Sequence, residues 1–279
     1  MTLLQTNTND CNALALSMTG VIPNEPKFIL VETSRPGNIG AAARAMKTMG
    51  FSQLVLVRPR FADATRDPEA IAFASGAQDV LEAAQVVDSI EAALAGCNFA
   101  AAVSARLREF SPLVMPPRAL AGQLAAAVDC RAALVFGNER FGLPNEIVEK
   151  CNVLINIPAN AAYSSLNLAQ AVQIVAYECA VAREAAAGLP GTSVSQAGGT
   201  GGSATGVVGF HGQAADLQQV EALYAHLQEA LVALEFLDPA NPKKLMTRLR
   251  RLFSRAGLEV EEVNILRGVA TRILRSRQP

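Results

Sequence analysis

Two short loops carry most of the side chains in this sequence that could bind a small molecule. Residues 137–142 (Gly-Asn-Glu-Arg-Phe-Gly) follow an apolar run, and their glycines leave backbone amides open to an adenine edge or a ribose. In this loop Glu139 either contacts a ribose or serves as a cap or a partner of Arg140. Residues 158–167 end in Ser-Ser-Leu-Asn, where an alanine-rich helix begins; we expect one of these polar side chains to cap the helix and the others to be available to a ligand. Neither loop has the pattern of a phosphate loop or a dinucleotide fold, so the ligand belongs to another class.

Arginines near these loops could contact phosphate groups. Arg44 lies almost two turns beyond Asn38, which the pattern predicts as the N-cap of the first helix. The small residues 41–43 leave its guanidinium uncovered, so Arg44 is either a solvated side chain or a contact for a substrate phosphate. Arg106 and Arg108 follow the third predicted strand and leave the same two alternatives.

The elements that position these residues follow from hydrophobic periodicity. Apolar runs predict strands at residues 28–32, 54–57, 99–104, 133–136 and 153–157. Helical patterns lie between and after them at residues 39–49, 79–84, 89–95, 119–127, 145–150 and 166–187. Strands that alternate with helices predict an α/β fold with a parallel sheet covered on both faces, and ligands of such sheets bind beyond the strand ends.

Composition changes along the chain and predicts four segments: a disordered leader (1–26), the α/β domain (27–187), a flexible Gly-rich linker (188–212) and a small helical unit (213–279). The helical unit has predicted helices at residues 216–237, 242–256 and 260–274. Its apolar residues form only a thin core, so we expect it to dock on something. It also carries a run of basic residues without an intervening acid: Lys243, Lys244, Arg248, Arg250, Arg251 and Arg255. Arg248, Arg251 and Arg255 share a helical face, and this basic stripe is either a solvated face or a contact for nucleic-acid phosphates.

Charge and cysteine usage exclude several classes of function. The formal net charge of −1 over 279 residues gives no overall basic field, so nucleic acid would have to bind through local patches. The five cysteines form no Cys-x-x-Cys pair, and with two histidines in the chain we predict buried thiols and no metal site. No apolar run is long enough for a membrane span, and the start of the chain has no signal-peptide pattern, so we expect a cytoplasmic protein.

Three blocks of the chain, residues 32–51, 134–147 and 155–177, resemble in order the three motifs of the SPOUT RNA 2'-O-methyltransferases. Those motifs are N-x-G-x-x-x-R, G-x-E-x-x-G and a final segment that contains S-S-L-N-L-A. The C-terminal residues Asn241-Pro, Leu245-Met and Asn264-Ile-Leu-Arg-Gly extend the resemblance to a subgroup that acts on tRNA. The similarity covers nearly everything except the leader and the linker, and it departs from the subgroup at Ala161-Ala162.

The resemblance implies a fold and an activity that composition and spacing do not. It implies a parallel-sheet SPOUT domain with a C-terminal trefoil knot, S-adenosyl-L-methionine as cofactor and a homodimer that completes the active site. The implied substrate is the ribose of nucleotide 32, C or U, in the anticodon loop of tRNA.

Residue roles follow from motif position. Arg44 is implied as the catalytic arginine, which the family is commonly described as using as a base. Because a guanidinium stays protonated in proteins, we instead expect Arg44 to hold a phosphate beside the target ribose and to stabilise the developing alkoxide, with Ser165 orienting the same hydroxyl. The residues expected at the cofactor are Val103, Ser104, Ala105, Gly137, Glu139, Gly142, Ile157, Ser164, Ser165, Leu166 and Asn167. Those expected at the RNA are Asn38, Arg106, Arg108, Lys243, Arg248, Arg251 and Arg255.

Two other functions compete with this one. A non-catalytic RNA-binding protein with the same fold would not bind S-adenosylmethionine. An α/β enzyme that acts on a free nucleotide would keep its activity without the basic C-terminal unit.

Overall fold

The computed structural model describes residues 25–61, 63–107, 111–187 and 212–276. Arg108 and nearly all of the predicted leader and linker lie outside these residues. The described residues form a seven-stranded parallel sheet in the order β3-β2-β1-β6-β4-β7-β5. Its strands are β1 (Lys27–Val31), β2 (Leu54–Val57), β3 (Gln85–Val87), β4 (Phe99–Val103), β5 (Leu113–Met115), β6 (Ala132–Phe136) and β7 (Val153–Ile155).

The helices of this domain cover both faces of the sheet. They are α1 (Pro36–Thr48), α2 (Pro68–Ala74), α3 (Gln78–Glu82), α4 (Ile90–Ala93), α5 (Pro117–Ala126), α6 (Asn145–Glu149) and α7 (Leu168–Ala186). Along β1, Phe28 and Leu30 face a core with α1, α2, α5 and α7, while Ile29 and Val31 face a second core with α4 and α6. The alternation explains why the central strands are apolar throughout: both sides of each strand are buried.

The predicted α/β class and parallel sheet are confirmed, and three elements were missed. The strands β3 (Gln-Val-Val) and β5 (Leu-Val-Met) lie at the two edges of the sheet and are largely exposed. Their apolar runs are only two and three residues long, too short to indicate a strand. Helix α2 begins with the pair Asp67-Pro68, a typical start of a helix that could have revealed it in the sequence. Asp67 is the N-cap, and its side chain accepts a hydrogen bond from the backbone N–H of Glu69. The prediction that Asn38 caps α1 is wrong. The N-cap is Arg35 and the helix begins at Pro36, so Asn38 lies in its first turn.

Close packing explains one of the glycines of α1. A Cβ atom on Gly40 would lie 1.9 Å from the carbonyl oxygen of Ala70, so glycine lets α1 and α2 pack backbone against backbone. The alanines 42, 43 and 45 of α1 are also buried within this chain. The small-residue face of α1 therefore serves intramolecular helix packing.

The strand order has one feature that bears on the knot. β7 lies between β4 and β5 although it follows both in the chain, so the connection from β4 to β5 crosses the position of β7. Just after β7, the Asn156 side chain donates to the carbonyl oxygens of Ser104 (3.1 Å) and Ala105 (3.4 Å) in that connection. A late strand inserted beneath an earlier connection is what a trefoil knot needs; the threading itself stays a prediction.

The C-terminal unit consists of α8 (Leu217–Ala233), α9 (Leu245–Ala256) and α10 (Val260–Ser276). Its own core is small and centres on Ala215, Leu223 and Val263. Leu217 instead belongs to the second core of the sheet domain, and its N–H donates to the carbonyl oxygen of Cys97 at 2.9 Å. The unit thus docks on the sheet domain, which compensates for its thin core.

The cysteines of the described residues are poorly reactive thiols. Cys97, Cys130 and Cys151 are buried and free, and burial raises the pKa of Cys151 to about 12. Among the described residues no group of histidine, cysteine and acidic side chains could hold a metal ion. No helix in this part of the chain is long and apolar enough to cross a bilayer.

Candidate active site

A cleft of about 480 Å³ lies beyond the carboxyl ends of β4, β6 and β7. It is built from the three chain segments that follow these strands and from the start of α7. Its lining residues are Val103, Ser104, Ala105, Arg106, Phe136, Gly137, Asn138, Glu139, Arg140, Phe141, Gly142, Ile157, Ser164, Ser165, Leu166, Leu168 and Ala171. Residues that are far apart in the chain thus meet where ligands bind in open α/β sheets.

The cleft brings together every residue expected at the cofactor except Asn167. Asn167 caps α7: its side chain accepts from the N–H of Ala169 and forms a capping box with Gln170. Arg106, expected at the RNA, also lines the cleft. Sequence reasoning missed the apolar residues Phe136, Leu168 and Ala171 and the loop residues Asn138, Arg140 and Phe141.

The loop 137–142 is held by its own buried asparagine. The backbones of Asn138 and Gly142 exchange hydrogen bonds of 3.2 and 2.8 Å, and the Asn138 side chain accepts from the N–H groups of Arg140 and Phe141. Its amide nitrogen donates to the carbonyl oxygen of Glu32 at 2.6 Å. A Cβ atom on Gly137 would lie 2.3 Å from the backbone of Gly142, so the loop closes this tightly only with glycine.

Glu139 links the loop 137–142 to the segment after β1 and, through Asn38, to the start of α7. Its carboxylate accepts from the N–H (2.9 Å) and hydroxyl (2.8 Å) of Ser34 and from the Asn38 side chain (2.8 Å). The Asn167 side chain donates to the Asn38 amide oxygen at 3.1 Å. Desolvation is the largest single influence and raises the pKa of Glu139, but the hydrogen bonds from Asn38 and Ser34 together lower it overall. The sequence left open a contact to a ribose or a local role as a cap or as the partner of Arg140. The bonds to Ser34 and Asn38 support a structural role, and its partners are these residues and not Arg140.

We expect Glu139→Ala to destabilise the fold by about 1–2 kcal/mol, because it leaves the donors of Ser34 and Asn38 without their acceptor at a half-exposed site. The melting temperature should fall by about 3–6 °C. The folded-state pKa is lowered, so the carboxylate stabilises the protein at neutral pH and loses this effect as the pH falls through that pKa. Thermal melts of both proteins should therefore converge at acid pH. Glu146→Ala, an exposed residue in the first turn of α6, is the control, and an equal loss there would contradict the network.

Arg44 and Asn38 lie outside the lining of the cleft. Arg44 is exposed on α1, and none of the described residues forms a hydrogen bond or ion pair with it. Both ends of the Asn38 amide are occupied by Glu139 and Asn167, so an RNA contact through this group would replace one of these bonds. Both RNA-directed roles stay predictions.

Two further arginines lie at the carboxyl end of β2, and sequence reasoning missed them. Arg58 and Arg60 form ion pairs of 3.0 and 3.4 Å with Glu32. The Arg60 guanidinium lies 5.6 Å from the ring centre of Phe141, at the edge of the cleft. The strand order brings them there: β2 adjoins β1, and β1 adjoins β6.

The basic stripe of the C-terminal unit lies largely on the solvent side of α9. Arg250 is turned inward, where it pairs with Glu221 and lies 4.4 Å from the Tyr224 ring centre. The residues of this unit that are expected at the RNA are exposed to solvent: Lys243, Arg248, Arg251 and Arg255. Arg250 therefore has a structural role inside the unit, while Arg248, Arg251 and Arg255 form a cationic face on its surface.

Comparison with known proteins identifies the family of this chain. Residues 26–177 match the model of the SpoU rRNA methylase family, and this segment contains all three motif blocks and every lining residue. The chain belongs to the SpoU methylase family. Residues 218–279 match the C-terminal domain of the tRNA methyltransferase TrmJ, so a second family domain accounts for the docked helical unit.

Relatives within this family cover both parts of the chain. A tRNA (cytidine/uridine/adenosine-2'-O-)-methyltransferase TrmJ of Pseudomonas aeruginosa is 44% identical over 247 residues, which are 88% of this chain and 92% of that protein. A tRNA (cytidine/uridine-2'-O-)-methyltransferase TrmJ of Pectobacterium atrosepticum is 42% identical over 88% of this chain and 95% of its own. The crystal structure of TrmJ from Z. mobilis superposes with a TM-score of 0.72 at 31% identity, covering 89% of this chain and 99% of that one. The resemblance seen in the motifs is thereby confirmed.

Proposed function

We propose that this protein transfers a methyl group from S-adenosyl-L-methionine to the ribose 2'-oxygen of nucleotide 32 in the anticodon loop of tRNA. The observation that carries the proposal is the meeting of residues from the second and third motif blocks in one cleft at the strand ends. The TrmJ relatives, which are named as tRNA 2'-O-methyltransferases, support tRNA as the substrate and the enzyme class. A cytoplasmic location goes with a tRNA substrate.

The cleft fits S-adenosylmethionine in size and chemistry. A volume of about 480 Å³ is in the range of small-molecule sites. Val103 and Ile157, both partly exposed, offer apolar surface for an adenine ring. The hydroxyls of Ser164 and Ser165 are exposed and have no hydrogen-bond partner among the described residues. Bound there, S-adenosylmethionine supplies an electrophilic methyl group.

The chain's own residues align the ribose hydroxyl and stabilise its developing charge. Ser165 lines the cleft and orients the 2'-hydroxyl through its own hydroxyl group. Arg44 holds the phosphate beside the target ribose and stabilises negative charge on the 2'-oxygen. A guanidinium stays protonated in proteins, so Arg44 acts as a cation and another group accepts the proton.

Methyl transfer to unmodified tRNA tests this function. Isothermal titration should show binding of S-adenosylmethionine, and mass spectrometry of the product should place a 2'-O-methyl group on nucleotide 32. Substrates with C, U or A at that position decide the base range, because the Pseudomonas relative's name includes adenosine and the Pectobacterium relative's does not. Cofactor binding with no transfer to tRNA would contradict the proposal. No cofactor binding at all would favour a non-catalytic RNA-binding protein.

We propose further that the active protein is a homodimer in which a second copy completes each site. The location of Arg44 outside the lining of its own cleft supports this arrangement. The small residues of α1 do not add support, since alanines 42, 43 and 45 are buried within the chain.

We expect light scattering to give twice the chain mass at assay concentration. Co-expression of Arg44→Ala with Ser165→Ala chains should restore about a quarter of wild-type activity, because a mixed dimer has one site with both residues intact. Each variant alone should be inactive. An active monomer, or no restoration in mixed dimers, would contradict a shared site.

A further inference from the structure

Phe141 is an exposed aromatic side chain at the edge of the cleft. The residue is 66% exposed, although large aromatic side chains are usually buried in folded proteins. It also lines the cleft that contains Ser165. Packing within the chain leaves most of this residue uncovered, so its ring is available to a ligand.

The backbone that carries Phe141 is fixed before any ligand arrives. The Asn138 side chain, itself 5% exposed, accepts from the N–H of Phe141 at 3.2 Å and from the N–H of Arg140 at 2.9 Å. Its amide is anchored on the carbonyl oxygen of Glu32. A pre-ordered loop loses little conformational entropy on binding, so an aromatic ring at its tip can bind a flat ligand efficiently.

Positive charge surrounds the ring. The guanidinium carbons of Arg60 and Arg140 lie 5.6 and 5.9 Å from its centre, near the outer limit of cation–π contact. An exposed aromatic ring beside arginines is how proteins bind unpaired nucleotides: the base stacks on the ring and the phosphates meet the guanidinium groups.

We propose that Phe141, flanked by Arg60 and Arg140, is the stacking surface for the nucleobase of the target nucleotide. The inference rests on the proposed function and names how that site binds its substrate. Phe141 and Ser165 line one cleft, so a ribose held at Ser165 has its attached base near the ring. A base that stacks on Phe141 leaves the base stack of the anticodon loop. Its ribose is thereby presented to the methyl donor.

The test compares Phe141→Leu, Phe141→Trp and Phe73→Leu in the full chain. Phe73 is the matched control because it is 54% exposed on α2 and does not line the cleft. Phe141→Leu should raise the KM for tRNA about 5- to 150-fold, the range for loss of one base–aromatic stack. Phe141→Trp should restore the wild-type KM, and Phe73→Leu should keep it. The dimer mass should be unchanged in all three, and so should the affinity for S-adenosylmethionine, because Phe141 lies at the edge of the cleft, is 66% exposed and is not among the residues expected at the cofactor.

A tRNA that lacks the base at nucleotide 32, assembled by ligation, separates the possible roles. Wild-type protein should bind this tRNA as weakly as Phe141→Leu binds normal tRNA, and the two changes together should cost no more than either alone. Additive losses would overturn the stacking role. A loss of cofactor affinity or of the dimer in Phe141→Leu, with normal binding of tRNA, would also overturn it. Wild-type methylation of normal tRNA tests the proposed function separately, so active wild-type protein with an equally active Phe141→Leu variant overturns only this inference.

Discussion

Arg44→Ala should lower the rate of methyl transfer by at least about 100-fold while the protein stays folded. The side chain is exposed and has no partner among the described residues, so its removal leaves no buried group unsatisfied. The core face of α1, including Ile39 and Met46, is untouched. Loss of one charge-stabilising donor in a transition state costs about 10²–10³ in rate.

The measurement is kcat with tRNA under saturating cofactor, together with cofactor affinity and a thermal melt. The affinity should stay within about twofold because Arg44 does not line the cleft of its own chain and is proposed to contact the tRNA phosphate, not the cofactor. Lys47→Ala is the matched control: Lys47 is exposed on the same helix, and its ammonium pairs with Asp79 at 2.7 Å. Full activity of Arg44→Ala would remove the catalytic role of Arg44.

The second large effect concerns tRNA binding by the stripe on α9. We expect the triple substitution of Arg248, Arg251 and Arg255 by Gln to weaken tRNA binding by one to several orders of magnitude at low salt and to flatten its salt dependence. For every arginine–phosphate ion pair that the substitution removes, the slope of log K against log salt should fall by about 0.7–0.9. The three side chains lie toward solvent, so the helix and its contact through Arg250 remain.

The structure favours this substitution over deletion of residues 213–279. Sequence composition predicts that the deletion leaves a folded domain, but Leu217 is part of a core of the sheet domain and bonds to Cys97. Deletion would therefore expose apolar surface as well as remove charge. Lys47→Gln with Arg131→Gln removes charge elsewhere and serves as control. The quantity to compare is the change in the slope of log K against log salt, divided by the number of charges removed. If this change is the same in both variants, the stripe is only a solvated face.

Periodicity and motif order were sufficient for the α/β class, for most elements and for the cleft. The central strands are apolar on both faces, and the ends of β4, β6 and β7 must share one edge of a parallel sheet. The loops after these strands therefore meet there whatever their distance in sequence. Helix caps with local partners, such as Asn167 with Ala169, also lie within reach of sequence reasoning.

Contacts between distant segments depend on the strand order, which periodicity does not encode. β1 lies beside β6, and this adjacency brings Glu139 to Ser34 and Asn38 and brings Arg60 to Phe141. The same holds for Leu217, whose burial depends on where α8 docks. Local sequence fixes which side chains a segment offers, because periodicity and capping act over one or two turns. The tertiary structure decides whether those side chains bond to one another, as Glu139 does, or remain exposed, as Arg44 and Phe141 do.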